Sequence, residues 1–594
     1  MAYLDQRLIR VALGQQPADV IIENGHLLNV HTREIYPAGV AIAGGRIAAI
    51  GDVAYCLGPS TERIDAQGRY LAPGLIDAHV HPEASKITLT RLANAIVPRG
   101  TTSIMCSLDQ VGAVAGLEGM RFVLDEAART PLKIFHAAPS RLPYTTPAST
   151  VRHPFGPAEY EVAREWPEAV GISEYMVDSI VDDDRAVHAI AEMALERRKG
   201  LHGHAPLTRG RALAASAAAG MQDDHESHSA REVVEKLTSG LHVFFRRATH
   251  VDDVRACVRA ITELGLPARR LALCTDDTDC RDILGLGLID HLVRYVIAQG
   301  VDPVTAIQMG SLHAAEAYRV DHLVGSIAPG RLADILLLDT LAGCAVSAVV
   351  ANGRLVAREG KMLEPVASPA YPDAFRGTLR LDQPITADDL CLRVDPSARS
   401  ADVLAIYYNP AEGPLRRRRD VTLPVREGRV LPSPGEGTLY ITVVERYTGQ
   451  GSHSSGFVSG FGLQLGAIAT SLAPNDNNII CVGADVDDMA VAVNHLVQVG
   501  GGQVAVAGGQ VLAEIRLPLL GLMADVSAEE MADAEARLDD AARSLGNRMA
   551  RPFFHLLFLS ITAIPEYGIT DQGLVEHASR SVINPVRRVP GGAV

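Results

Sequence analysis

Cysteine is scarce and scattered, eight in 594 residues with no Cys-x-x-Cys pair. That argues against a disulfide framework and points to a reducing compartment. Long apolar runs are also missing. No stretch of about 18 uncharged apolar residues occurs, and the opening "MAYLDQRLIRVALG" lacks the apolar segment of a secretory leader. No membrane span is therefore expected, and the protein reads as cytoplasmic. Positive charge is in deficit: Lys and Arg total 55 against 70 Asp and Glu, a net charge of −15. This balance argues against nucleic acid or an anionic membrane as the main partner and leaves a small-molecule substrate. One local basic run, "LRRRR" at 415–419, reads as a solvated loop. Short internal repeats and long low-complexity tracts are absent as well.

What is present is a long chain of ordinary globular composition, 47% hydrophobic and 21% charged. It is too long for a single core. The first 70 residues look like short strands and turns. "ADVIIENGHLLNV" predicts a hairpin with Asn24-Gly25 in the turn, and "VAIAGGRIAAIGD" a second around Gly44-Gly45. From 74 onward, short apolar runs alternate with helical stretches such as "DRAVHAIAEMALERRKG" (184–200). Eight such runs can be counted: 74–81, 102–107, 132–138, 169–176, 200–205, 221–226, 241–248 and 270–277. Eight strands alternating with helices over about 250 residues is the pattern of a (β/α)8 barrel. After about 320 the hairpin style returns in "GSIAPGRLADILLLD" and "VVANGRLVAREGKML", which are expected to pair with the N-terminal strands. A Pro-rich linker follows at 364–375, and then strands and helices mix; Ser527 and Glu530 have capping-box spacing. The expected architecture is α/β. A TIM-like (β/α)8 barrel at 71–324 is flanked by a small β-sandwich from 1–70 plus 325–370, and a C-terminal α+β domain occupies 371–594.

In a barrel the C-terminal strand ends converge on one pocket. The polar residues at those ends are His79 and His81, Glu174, His204, His225 and Asp276. Side chains alternate along a strand, so His79 and His81 point the same way. Imidazoles donate neutral lone pairs, and a carboxylate supplies charge and can bridge two cations. Four histidines and two carboxylates suit two divalent metal ions, Mn, Fe or Zn. Two such ions would hold a bridging hydroxide with a pKa near neutrality. His136, His202, His228, His242 and His250 read as structural or surface residues.

The segments "PGLIDAHVH", "GHA", "DDHE", "CTDD" and "APGRLADILLLD" together resemble the amidohydrolase superfamily, and more closely its adenine deaminase family. The resemblance extends to "SGFVSGFGLQLGAIATSLA", "DVDDMAVAVNHL", "GGQVLAEIRLPLLGLMAD" and "YGITDQGL", so it covers nearly the whole chain. It implies that Glu174, in "GISEYM", bridges the metals. Three segments depart from the family pattern. Asp-Pro-His-Glu appears here as "SLDQ" (107–110), His-Ile-Glu-Ser-Ser as "HPEAS" (81–85), and His-Asp-Ser-His-Asn as "PNDNN" (474–478). These changes leave the six metal-ligand candidates intact and alter residues expected to line the pocket.

The expected reaction is hydrolytic deamination of adenine or a related 6-aminopurine, with lower efficiency than a typical family member. Asp276 would take the proton of the attacking water and deliver it to the departing nitrogen. Glu83 and Glu226 are candidates for protonating a ring nitrogen, or for orienting a ligand instead. His225 is expected to polarise the substrate as well as bind metal. The alternative is an amidohydrolase that uses the same centre to open a cyclic amide, a lactone or a small acyl-amide. A homodimer is the expected assembly.

Overall fold

The computed structural model describes residues 5–589 except 145, 146, 148, 414, 475 and 565. Near the N-terminus lie strands β1 (Val20–Asn29), β2 (Glu34–Ala43), β3 (Arg46–Gly51), β4 (Glu62–Asp65) and β5 (Tyr70–Pro73). The Gly44-Gly45 turn joins β2 to β3 as expected, with φ of 58° and 75°. Asn24-Gly25 does not form a turn. It is a bulge inside β1, where the register on β2 jumps between Ile22 and Gly25. The cause is a change of neighbour: β1 runs parallel to β4 over Val20–Glu23 and parallel to β5 at His26 and Leu27. Asn24 takes the left-handed conformation there, and its side chain donates to Asp65 Oδ1 at 3.0 Å.

The eight apolar runs become eight parallel barrel strands: β6 (Leu75–Asp77), β7 (Thr101–Cys106), β8 (Lys133–Pro139), β9 (Ala169–Met176), β10 (Gly200–His204), β11 (Asp223–Asp224), β12 (His242–Ala248) and, after a short ribbon β13 (Val251–Asp252), β14 (Leu271–Cys274). Closure occurs just beyond β6 and β14. Ala78 N donates to Leu273 O at 3.1 Å, Asp276 N to His79 O at 2.9 Å, and His81 N to Asp276 O at 3.0 Å. The seam that closes the barrel therefore holds three of the six candidate ligands. The helix between β9 and β10, Arg185–Glu196, starts where Asp184 accepts from the N–H groups of Ala186 and Val187.

Strands β15 (Ile335–Leu338), β16 (Val346–Ala351), β17 (Arg354–Arg358) and β18 (Lys361–Met362) return to the N-terminal strands. β15 pairs antiparallel with β5, so both chain segments share one nine-stranded sheet. Ile22, Leu27, Val40, Ile47, Ile335 and Val350 meet in its apolar core.

The C-terminal part contains a ten-stranded sheet with helices Val486–Val499 and Ala528–Ser544, and a three-stranded sheet of Tyr567–Thr570, Gly573–Glu576 and Ser581–Ile583. Ser527 and Glu530 form the expected capping box. The "LRRRR" run departs from expectation. Arg417–Arg426 is a strand paired with Ser400–Tyr407 and with Arg429–Val430; Arg417, Arg418 and Arg419 are exposed, but Arg416 is buried. The C-terminal part sits against the end of the barrel beyond β6 and β14. Lys86 pairs with Glu535 at 2.8 Å and Arg551 with Asp279 at 2.8 Å. Among the described residues no helix is long and apolar enough to cross a membrane.

Candidate metal centre

All six residues singled out at the strand ends converge. His79 and His81 follow β6, Glu174 lies in β9, His204 ends β10, and His225 and Asp276 follow β11 and β14. His79 Nε2 lies 3.2 Å from His81 Nε2, 3.3 Å from Glu174 Oε1 and 3.8 Å from Asp276 Oδ1. His204 Nδ1 lies 2.9 Å from Glu174 Oε2, and His225 Nε2 3.5 Å from Glu174 Oε1. The His79 and His225 rings stack at 3.7 Å. Three overlapping groups emerge in which the ligand atoms lie within 4.8 Å of one another: His79–His225–Asp276, His79–His81–Glu174 and Glu174–His204–His225. Glu174 and Asp276 both have left-handed backbones, φ 52° and 59°. Non-glycine residues are held in that region at a cost of roughly 1–3 kcal/mol each and gather at functional sites.

The donor set fits divalent cations. His79 Nε2 and His81 Nε2, 3.2 Å apart, can share one proton or together present two lone pairs to a cation. Glu174 Oε1 and His204 Nε2 are buried without a hydrogen-bond partner among the described residues. The charges agree. Burial pushes Glu174 up, but His204 and His225 outweigh it and hold the carboxyl well below its ordinary range. Burial lowers His204, but Glu174 raises it to about 9. The carboxylates thus call for positive charge at the places where a metal would put it.

Behind the ligands stands a supporting layer. His81 Nδ1 faces Asp109 Oδ1 at 3.3 Å, and Ser107 Oγ donates to the same oxygen at 2.5 Å. A carboxylate on Nδ1 turns Nε2 towards the centre. Asp224 Oδ1 accepts from Ala205 N at 2.9 Å, and its Oδ2 from Glu226 N at 3.0 Å and Lys236 Nζ at 2.6 Å. That network anchors the ends of β10 and β11, from which His204 and His225 project.

A cavity of about 490 Å³ opens onto His81, Glu174, His204, His225 and Asp276. Asp109, Tyr144, Glu226, Asp277 and Pro474 also line it, and the C-terminal part closes it with Phe558, Ile561, Ala563 and Ile564. Each of the three segments that depart from the family pattern thus puts one residue on the cavity: His81, Asp109 and Pro474. Glu83 is buried, not on the cavity surface, and accepts from Val111 N at 3.3 Å; burial and the Asp109 carboxylate push it up to about 7. Asn477 donates to Gln110 O at 3.4 Å, which joins "PNDNN" to "SLDQ"; Asn475 lies outside the described residues.

Two residues were not singled out from the sequence. Arg246, in β12, is buried and donates to Asp276 Oδ2 at 2.9 Å, to Asp253 Oδ2 at 2.8 Å and to Glu226 Oε1. Burial would raise the Asp276 carboxyl, but Arg246 and the nearby histidines hold it far below its ordinary range. The available signal was an arginine at the end of the seventh apolar run, "LHVFFRRA". Asp277 stands beside Asp276 in "CTDD"; burial and the Asp276 charge push it up to about 8.

The Amidohydrolase family matches residues 70–356, and the adenine deaminase C-terminal domain matches residues 415–581. Adenine deaminase 4 of Rhizobium meliloti (strain 1021) is 44% identical over 98% of this chain and 97% of its own length. Adenine deaminase 1 of Desulfotalea psychrophila is 43% identical over 98% of both chains. Adenine deaminase 1 of Latilactobacillus sakei subsp. sakei is 39% identical, again over 98% of both. With the barrel and the C-terminal part both matched, and relatives above 40% identity over nearly the whole chain, the chain belongs to the adenine deaminase family of metal-dependent amidohydrolases.

Proposed function

We propose that this enzyme hydrolyses adenine to hypoxanthine and ammonia in the cavity over the strand ends, with two divalent metal ions held by His79, His81, Glu174, His204, His225 and Asp276. The convergence of four imidazoles and two carboxylates, five of these six residues lining one cavity, carries the reading. Membership of a family whose matched relatives are named adenine deaminases supports the substrate. Zinc, manganese and iron all suit this donor set. Bound there, the ions supply Lewis-acid activation of water at neutral pH.

The chain's own residues then manage the protons. Arg246 occupies Asp276 Oδ2, so Oδ1 is the oxygen left to accept a proton from the attacking water. A carboxyl held so far below its ordinary range is a reluctant base but a strong acid. It keeps the proton only briefly and hands it to the departing amino nitrogen. His225, on the cavity wall, polarises the ring. Asp277, whose carboxyl lines the cavity, is the acid proposed to protonate a ring nitrogen; Glu226 is engaged by Arg246, and Glu83 lies off the cavity surface.

The test is direct. Protein loaded separately with zinc, manganese or iron is given adenine, and hypoxanthine and ammonia are measured. Stoichiometric formation of both is expected. Absence of ammonia from adenine and other 6-aminopurines, with opening of a cyclic amide or lactone, would replace this reading with the alternative hydrolase.

A further inference from the structure

Arg416 is 1% exposed, and no carboxylate pairs with it among the described residues. Burial lowers its guanidinium to about 10. A buried cation without a counter-charge is costly, and an apolar side chain of the same size would fill the space more cheaply. What the guanidinium adds is a two-pronged grip. Nη1 donates to Phe558 O and Nη2 to Ile564 O. These carbonyls stand at the two ends of the segment that closes the catalytic cavity, whose Phe558, Ile561, Ala563 and Ile564 face it.

That segment needs fastening. Past the 3-10 turn Phe558–Ser560, no helix or strand occurs among its described residues before Tyr567. A second cavity, of about 750 Å³, adjoins the first; Leu207, His250, Tyr408, Leu415 and Arg416 line it, and Glu226, Phe558 and Ile564 line both. Besides Arg416, the segment is held by Thr562 O facing His577 Nδ1 at 3.0 Å and by Phe558 against the His250 ring. Arg416 itself is anchored, because its carbonyl accepts from Glu566 N at 3.0 Å and Tyr567 N at 3.1 Å.

We propose that Arg416 is a positioning residue for substrate: by gripping both ends of residues 558–564 it sets the height of the apolar roof that lies against the substrate ring. The inference rests on reading the cavity as the adenine site. The roof touches the ring and not the metal ligands, so its displacement weakens binding more than turnover. Adenine kinetics, metal content and amide hydrogen exchange of 558–564 are measured for the wild type, Arg416→Met and Arg416→Lys. For Arg416→Met, KM is expected to rise roughly tenfold or more, with kcat changed far less. Metal content should be unchanged and exchange at 558–564 faster. Arg416→Lys keeps the charge but can serve only one carbonyl at a time, so it should fall between. Wild-type KM and wild-type exchange in Arg416→Met overturn the proposal. If that variant does not fold, wild-type values of both in Arg416→Lys overturn it, and intermediate values uphold it. A wild-type enzyme that does not deaminate adenine removes the underlying reading instead, which the same kinetics reveal first.

Discussion

His79 approaches two other candidate ligands within 3.3 Å, so removing its imidazole should be felt across the whole centre. In His79→Ala, metal content by elemental analysis and deaminase activity are expected to fall together. Full metal occupancy in that variant would place the centre elsewhere. Asp276 calls for a different substitution. Asp276→Asn keeps the shape and one oxygen but cannot accept a proton, so kcat should fall by about 10²-fold or more, the scale of general acid–base catalysis. Turnover near that of the wild type in metal-replete Asp276→Asn protein would show that another group moves the proton. The amide would also lose its ion pair with Arg246, which is buried among Glu226, Asp253 and Asp276. A modest loss of stability should therefore accompany the loss of rate.

At the scale of elements, β10 and β11 present their ligands from strand ends tied together by one buried ion pair. Lys236 and Asp224 are both fully buried, and Asp224 bonds the backbone at Ala205 and Glu226. Lys236→Met leaves a buried carboxylate without its counter-charge, a change that typically costs about 3–5 kcal/mol. Denaturant unfolding of metal-free protein should show that loss as a lower midpoint with an unchanged slope. A midpoint within error of the wild type would mean that Asp224 finds another partner.

For the whole molecule, binding to the native state alone links metal to stability. Dialysis against a chelator should abolish deamination and lower the thermal midpoint, and added metal should restore both, with occupancy approaching two ions per chain. At a free concentration 100 times Kd, stabilisation of about 2.7 kcal/mol per independent site is expected. An unchanged midpoint after complete removal of metal would mean that the cluster is already satisfied by protons and hydrogen bonds. The C-terminal part belongs to this scale too, since the catalytic cavity is walled by the barrel strand ends and by Phe558–Ile564 together.

The sequence by itself determined the period of the elements and the residues at their ends. Eight apolar runs at barrel spacing predicted eight parallel strands, and the alternation of side chains put His79 and His81 on one side. Capping at Ser527 was legible because a capping box is a contact between residues three apart. Tertiary structure decided the partners. Asn24-Gly25 has the residues of a tight turn, and only the arrival of β4 and β5 on the same strand made it a bulge. Arg416 and Arg417 are neighbours in one basic run, yet the first grips the cavity roof and the second is exposed. Arg246 became part of the site because three carboxylates from other segments surround it. Local propensity and periodicity act over a few residues and are written in the sequence. Burial of a charge depends on which distant segments meet around it, and that is settled only when the chain closes on itself.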